Sequence, residues 1–359
     1  MRVLRVYHGG RIEAHRERER ALVAAGVDVT LVAPSDWPEA TNDDTGADPF
    51  RTIELPVKRP GDVNRHAYES RDAIRALIGE VRPDVLDLHE EPFSVAARQW
   101  LRVAPKELPV VMYTAQNVDK RFPPPFAQYE RAAFRRVTAL YPCSRQAASV
   151  ARGKGFAGEL DVLPLGFDET VFFPGEQSLE DELVIALFGR LVPEKGLSDA
   201  VRVLALLNEL RPTRLVVAGS GPDEAAGRAL AASLGVSDSL EIEPWLALGE
   251  LATTYRRAQV VLIPSRPTET WVEQFGRVIV EAQASGAVVA GYSSGSIPEV
   301  AGDPAILTAV GGWADLGDRI ARLAADPAEF AARRAAGIEL SRERTWSDVA
   351  ERQTALYER

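Results

Sequence analysis

Three short segments bring charged side chains and glycines to the ends of apolar runs. In Phe188-Gly-Arg-Leu-Val-Pro-Glu-Lys-Gly196, Gly189 turns the chain after a β-branched run, and Arg190 and Lys195 follow close together. Two cations at a strand–helix corner suit a diphosphate, because Arg offers a planar fork of donors and Lys a compact point charge. Ala218-Gly-Ser-Gly-Pro-Asp223 follows a similar run. Glycines there permit close backbone approach to a ligand, and a helix N-terminus favours an anion. The third segment runs from Ile263 through Glu273 to Glu281 and reads as a polar loop followed by a helix from near Gly276. The amides of Phe275, Gly276 and Arg277 then fall at a helix N-terminus, which is an anion site. On a helical path of ~1.5 Å per residue, Glu273 and Glu281 stand about 12 Å apart. They are too far apart to share a proton, but can hold hydroxyls on different parts of a long ligand. Each segment also has a plainer reading: solvated loop cations, an ordinary βα turn, a carboxylate paired within the fold.

The four histidines are His8, His15, His66 and His89. His89 follows the run 85–88, with Glu90 and Glu91 beside it, and either touches a ligand or serves the structure. His8 adjoins Gly9; His15 and His66 read as helix-surface or loop residues. Arg11 is within reach of a phosphate. Cys143 is the single cysteine, so an intrachain disulfide and a Cys-based metal site are excluded. A buried small apolar role and a reducing compartment fit it.

These residues need a scaffold, and the pattern supplies one. Strands are expected over 3–7, 27–32, 85–88, 110–113, 139–142, 160–163, 183–188, 214–218, 240–242, 260–263 and 288–290. Helical spacing intervenes over 14–25, 72–81, 92–101, 128–136, 144–154, 197–210, 223–234, 248–257 and 276–285, and returns over 346–357. Such alternation predicts α/β units with parallel sheets. A length of 359 residues and 46% hydrophobic content suit two cores. The polar stretch 174–181 reads as the linker. Two doubly wound, Rossmann-like domains are expected to face a central cleft, 1–173 and 174–340, with 341–359 as a helix crossing back to the first. Ligands in such sheets lie at the carboxyl ends of the strands. The stretch 35–49, which includes Asn42-Asp43-Asp44, reads as a long solvated loop, and Phe122-Pro-Pro-Pro-Phe126 as stiff and extended.

A net charge of −10 argues against nucleic acid as a partner. The first residues are too interrupted for a signal peptide, and no run of about 20 apolar residues occurs. Cytoplasmic residence is expected, with peripheral contact at the inner face of the membrane left open. Arg131, Arg135 and Arg136 share a helical face and read as a solvated surface or as a membrane-facing patch.

The segments, in order, resemble the GT4 family of glycosyltransferases, which have the GT-B fold. The matching residues are Leu165-Gly166-Phe167-Asp168 with Phe172, Gly189-Arg190, Glu194-Lys195-Gly196 and Gly219-Ser220-Gly221-Pro222. They continue with Glu273 and Glu281 enclosing Phe275-Gly276, then Ser294-Gly295-Ser296-Ile297-Pro298-Glu299. Before residue 160 the likeness is looser and rests on Gly9-Gly10, His89-Glu90 and the strand rhythm. The resemblance implies that Arg190 and Lys195 bind the donor diphosphate near Gly189 and Gly219. Glu273 and Gln274 would lie at the sugar and Glu281 at the ribose hydroxyls. The amides of Phe275, Gly276, Arg277 and Val278 would contact sugar and phosphate, and Trp245 and Leu246 the base. Gly9 and Gly10 would let the first domain close near the phosphates. His89, Glu90, Gln116 and Asn117 would face the acceptor. Catalytic roles are expected of Glu273, Arg190, Lys195 and His89.

The chain departs from the family pattern at Leu165, where Asn is common, at Gln274, where Gly is usual, and at Val288, where Pro is common. Thr114-Ala115-Gln116-Asn117 stands where many members place a His; Gln116 can hydrogen-bond a sugar but cannot act as a base. The resemblance implies retaining transfer by front-face attack, with no covalent intermediate, from a UDP- or GDP-sugar to a small-molecule, glycan or lipid-linked acceptor. The departing phosphate oxygen could take the acceptor proton. No cofactor and no divalent metal are expected, and no Asp-x-Asp triplet occurs. Two other readings compete. A nicotinamide-dependent oxidoreductase would carry Gly-x-Gly-x-x-Gly after the first strand, where only Gly9-Gly10 occurs. A GT-B sugar-nucleotide epimerase or non-catalytic binder shares the fold.

Overall fold

A computed structural model describes residues 1–38, 48–179, 182–244 and 246–359. The chain divides into two compact units, Met1–Leu165 with Trp346–Arg359, and Gly166–Thr345. Asn42-Asp43-Asp44 lies outside the described residues.

In unit 1, strands β1 (Arg2–Val6), β2 (Asp28–Pro34), β3 (Arg51–Leu55), β6 (Val85–Leu88), β7 (Val110–Thr114), β8 (Ala139–Pro142) and β9 (Glu159–Leu160) form one sheet. Strands β4 (Val57–Lys58) and β5 (Ala67–Tyr68) make a separate antiparallel pair. The large sheet has the order β3-β2-β1-β6-β7-β8-β9 and is parallel at every pairing. Near-continuous Val/Leu/Ile runs mark strands covered on both faces. The order reverses between β1 and β6, so the residues after Val6 and Leu88 flank a switch point.

Unit 2 repeats the plan with β10 (Leu183–Phe188), β11 (Thr213–Ala218), β12 (Leu240–Glu243), β13 (Val260–Ile263), β14 (Val288–Tyr292) and β15 (Ile306–Thr308). Its order is β12-β11-β10-β13-β14-β15, again parallel, with the reversal between β10 and β13. Leu187, Leu204, Val217, Leu262, Ala290 and Leu316 are among the residues of a hydrophobic core in this unit.

Helix starts follow local chemistry. Ser70, Ser94 and Ser144 accept hydrogen bonds from Ala73, Ala97 and Ala147 amides at 3.1, 3.1 and 3.2 Å, capping helices Arg71–Val81, Val95–Val103 and Arg145–Gly153. The expected helix 14–25 is shorter: two 3-10 turns, His8–Arg11 and Glu13–His15, precede helix Glu17–Ala24. The expected strand 160–163 is confined to Glu159–Leu160. The Pro-rich run ends in helix Phe126–Arg136. Arg136 Nη2 donates to the Pro105 and Leu108 carbonyls at 2.6 and 3.0 Å, so this arginine braces unit 1.

Helix Trp346–Tyr357 belongs to unit 1. Ala350, Leu356 and Tyr357 pack with Val3, Leu22 and Val27. Its polar side enters a buried network: Gln353 Nε2 donates to Asp87 Oδ2 at 2.9 Å, and Tyr357 donates to the same carboxylate at 2.5 Å. Asp87 also accepts from Tyr141 and pairs with Arg5, which pairs in turn with Glu19. Arg5, Glu19 and Asp87 are all buried.

Candidate active site

The site in unit 2 starts from two interlocked strand exits. Gly189 turns out of β10 at φ +120, and Gly219 leaves β11 at φ +152. A Cβ on Gly219 would lie 1.9 Å from the Gly189 carbonyl oxygen, and one on Gly221 2.3 Å from that of Leu191. The Leu191 amide donates to Ser220 O at 2.8 Å, and the Asp223 amide to Leu191 O at 3.0 Å. The glycines of 218–223 therefore permit this close backbone packing.

The turn Pro193–Lys195 follows and ends on left-handed Gly196, whose Cβ position lies 2.3 Å from the Pro264 carbonyl oxygen. The Arg266 amide donates to Glu194 O at 2.8 Å, tying the 188–196 corner to the exit of β13. Lys195 Nζ sits 2.6 Å from Glu273 Oε2 and 5.2 Å from the centre of the Trp271 ring. Ser265 Oγ donates to the same Glu273 oxygen at 3.1 Å. The Glu273 carbonyl accepts from the Ser296 amide at 3.0 Å, and a Cβ on Gly295 would approach it to 2.5 Å. Thus the 188–196 corner and Ser265 meet the Glu273 carboxylate, the Ser294–Glu299 segment meets its backbone carbonyl, and the residue is only 8% exposed. Arg190 is exposed, and its side chain has no partner among the described residues.

Gly276 adopts φ +80 and opens helix Arg277–Ala284 with no side-chain cap, and the Ile279 amide donates to the Gly276 carbonyl at 2.8 Å. Phe275 is buried, Gln274 is exposed, and Arg277 and Val278 are half-buried. Glu281 is 7% exposed. Its Oε2 accepts from the Tyr255 hydroxyl at 2.9 Å, and its Oε1 lies 3.2 Å from Arg277 Nη2. Burial and the Glu281 charge hold the Tyr255 hydroxyl well above its ordinary pKa, so it remains a donor. Tyr255 itself stacks on Phe188 at 3.8 Å. Leu246 is half-buried, and Trp245 lies outside the described residues.

Sequence reasoning missed Ser265 and Trp271, although both stand in the quoted segment. It also missed Asp199, buried in helix Leu197–Asn208. Arg266 forks onto Asp199 at 2.8 and 2.9 Å, and Tyr292 donates to it at 2.7 Å. This fixes the loop after β13. Nothing in its spacing separates Asp199 from a surface acid at the start of a helix.

In unit 1, Gly9 and Gly10 lie buried in the His8–Arg11 turn after β1. His89 follows β6 and stacks on Tyr113 at 4.0 Å, with its edge 4.4 Å from Tyr7. Its Nδ1 lies 3.0 Å from Arg5 Nη2, which can only donate. Burial first, then the charges of Arg5, Arg18 and His8, push its pKa well below the ordinary value. His89 is therefore neutral with its proton on Nε2, a hydrogen-bond donor held inside the unit and unsuited to act as a base there. Glu90 is turned inward: its Oε1 accepts from the His8 amide at 2.9 Å, and its Oε2 lies 2.9 Å from His8 Nδ1. His66, expected as a helix-surface or loop residue, lies in a loop and is fully buried beside it. Gln116 Oε1 accepts from Lys154 Nζ at 2.8 Å, while its Nε2 is buried without a partner. Asn117 is buried next to it. Glu91 accepts from the Thr114 hydroxyl and the Ala115 amide, both at 2.8 Å; burial outweighs these bonds and lifts its carboxyl to about 7. Cys143 is buried, as its residue type suggests.

Residues 168–339 match the family described as glycosyl transferases group 1, and residues 13–166 match the glycosyl transferase 4-like domain. The chain belongs to the GT4 family of glycosyltransferases. It is similar to D-inositol 3-phosphate glycosyltransferase of Segniliparus rotundus, 31% identical over 214 residues, covering 55% of this chain and 46% of that one. The same enzyme of Actinosynnema mirum is 34% identical over 218 residues, covering 55% and 51%. The chain thus spans about half the length of the curated relatives it matches. Among solved structures, Anabaena HepE in complex with UDP superposes with a TM-score of 0.77 at 16% identity, over 100% of both chains. Sucrose-phosphate synthase from Thermosynechococcus elongatus gives 0.76 at 18%, over 100% of this chain and 98% of that one. These likenesses show the GT-B fold for this GT4 chain.

Proposed function

We propose that this GT4 chain transfers a sugar, with retention, from a nucleoside diphosphate donor to an acceptor hydroxyl. The observation that carries the reading is the convergence of Lys195, Ser265 and the 294–299 segment on Glu273, one short loop before an uncapped helix N-terminus. In this reading Lys195, Arg190 and the amides from Phe275 to Val278 meet the charge that grows on the departing diphosphate. Preorganised donors of this kind are worth the most in transition-state stabilisation. Glu273 accepts from sugar hydroxyls, with Gln274 beside it, and Glu281 accepts from the ribose. Leu246 and Trp245 adjoin the base. The acceptor oxygen attacks the anomeric carbon as the bond to the phosphate oxygen breaks, and that oxygen takes the acceptor proton. The donor site needs no divalent metal and no cofactor in this scheme.

UDP is the expected nucleotide and GDP the next; Anabaena HepE has been crystallised with UDP and with UDP-glucose. The acceptor, a small molecule, glycan or lipid-linked sugar, is assigned to the His89, Glu90, Gln116 and Asn117 side of unit 1. His89 contributes there as a hydrogen-bond donor. Cytoplasmic residence with peripheral membrane contact belongs to the same reading; no helix of the described residues is long and apolar enough to cross a membrane. The family assignment lends no support to the oxidoreductase or epimerase alternatives.

The test is donor binding and turnover by Lys195→Ala and Glu273→Ala over a panel of UDP- and GDP-sugars. Removing one such donor costs ~10²–10³ in rate in comparable sites. Wild-type turnover by both variants would defeat the assignment.

A further inference from the structure

Unit 1 holds a cluster that the donor-site reading does not use. We propose that His8, His66 and Glu90 bind one divalent transition-metal ion of the zinc type. Their nearest ligand atoms all lie within 4.8 Å of one another. Glu90 Oε2 is 2.9 Å from His8 Nδ1, and Glu90 Oε1 is 3.7 Å from His66 Nε2.

His66 supplies the decisive detail. It is 0% exposed, and its Nδ1 lies 3.1 Å from the Asp62 carbonyl oxygen, to which it must donate. The lone pair of a neutral ring then sits on Nε2, which is buried and has no hydrogen-bond partner. That lone pair faces the buried carboxylate of Glu90. Two acceptors aimed at each other in a dry site repel, whereas a cation between them satisfies both. A ring N–H held by a backbone carbonyl is the arrangement that orients a metal-ligating histidine. Glu90 is fixed likewise, by the His8 amide at 2.9 Å.

Two imidazole nitrogens and a carboxylate suit zinc and its first-row neighbours; magnesium and calcium prefer all-oxygen shells. Zinc–ligand bonds of ~2.0–2.1 Å in a tetrahedron set ligand atoms about 3.3 Å apart. The observed 2.9 and 3.7 Å separations bracket that value. The Trp37 ring walls the cluster, with centroids 5.0 Å from His8 and 5.1 Å from His66. His8 follows β1, His66 precedes β5, and Glu90 follows β6. An ion here ties the turn carrying Gly9 and Gly10 to two other segments of unit 1. The inference does not depend on what unit 2 binds.

The experiment uses the full, tag-free chain, stripped with chelator and titrated with Zn²⁺ alone by calorimetry, with the retained metal counted by mass spectrometry. One equivalent should bind with sub-micromolar Kd and raise the Tm, and His8→Gln and His66→Gln should each weaken binding at least tenfold. His8 is partly exposed, so its variant is expected to fold, checked by circular dichroism and by UDP binding. Absence of stoichiometric binding to the wild type overturns the proposal, as does unchanged affinity in a folded variant. Should both variants misfold, Co²⁺ in the wild-type chain decides: the absorption of a low-coordinate nitrogen–oxygen site supports the proposal, and that of hexaaqua cobalt overturns it.

Discussion

Glu281 permits a prediction with a worked magnitude. An ionised carboxylate offers about four acceptor positions. Tyr255 occupies one on Oε2 and Arg277 one on Oε1, which leaves about two, the number a ribose with free 2′ and 3′ hydroxyls requires. Hydrogen bonds to a charged acceptor contribute about 1.5–3 kcal/mol each, or roughly 10- to 150-fold in Kd. Wild-type protein should therefore bind 2′-deoxy-UDP about 10- to 150-fold more weakly than UDP. Glu281→Gln keeps the side-chain volume and removes the charge. It should weaken UDP binding by a similar factor and shrink the ribose-to-deoxyribose ratio to about threefold or less, the level of a neutral pair. Tyr255→Phe should lose less, since Arg277 still holds the carboxylate. The assay is calorimetric titration of both nucleotides into all three proteins. A Glu281→Gln protein that folds and still discriminates between them as the wild type does would refute the assignment of Glu281 to the ribose.

Three further outcomes follow from the packing. Gly219→Ala drives a Cβ into the Gly189 carbonyl and should destabilise unit 2 by about 3 kcal/mol or more, read from the urea midpoint. Asp87→Asn removes one of the two carboxylates paired with buried Arg5 among the described residues, so it should cost about 3–5 kcal/mol and strip hydrogen-exchange protection from helix Trp346–Tyr357. Burial lifts the Cys143 thiol from 9.0 to about 12. At pH 8 this cuts its thiolate roughly a thousandfold, and native protein should leave a disulfide reagent unreacted until denaturant is added.

Much of the scaffold was legible because parallel strands are buried on both faces and write themselves as apolar runs. The segments proposed for the donor were legible because their glycines, cations and acids fall at strand exits, where a sheet of this kind exposes them. Other features depend on partners distant in the chain. That Gly219 must pack against the Gly189 carbonyl is not visible in either segment alone. His66 reads as a loop residue, since nothing near it in sequence announces Glu90 or His8. Arg5 and Asp87 break the apolar pattern of their strands, yet both are buried, because Glu19, Tyr141, Gln353 and Tyr357 converge on them from elsewhere. The short strands β3, β4, β5 and β15 and the helices Ile297–Ala301, Trp313–Ala324 and Pro327–Arg342 were also unread, being brief or flanked by weak signals.

Helix Trp346–Tyr357 makes unit 1 discontinuous along the chain. Domains generally fold as they leave the ribosome, N-terminal first. Here the order is partly inverted. The first 165 residues emerge with Asp87 lacking Gln353 and Tyr357, and with one face of the sheet lacking Ala350 and Leu356. Those groups arrive only after all of unit 2 has been made. Unit 2, a continuous insert, can close while its elder neighbour waits half-assembled. A helix made after the whole of unit 2 thus completes the packing of the first sheet.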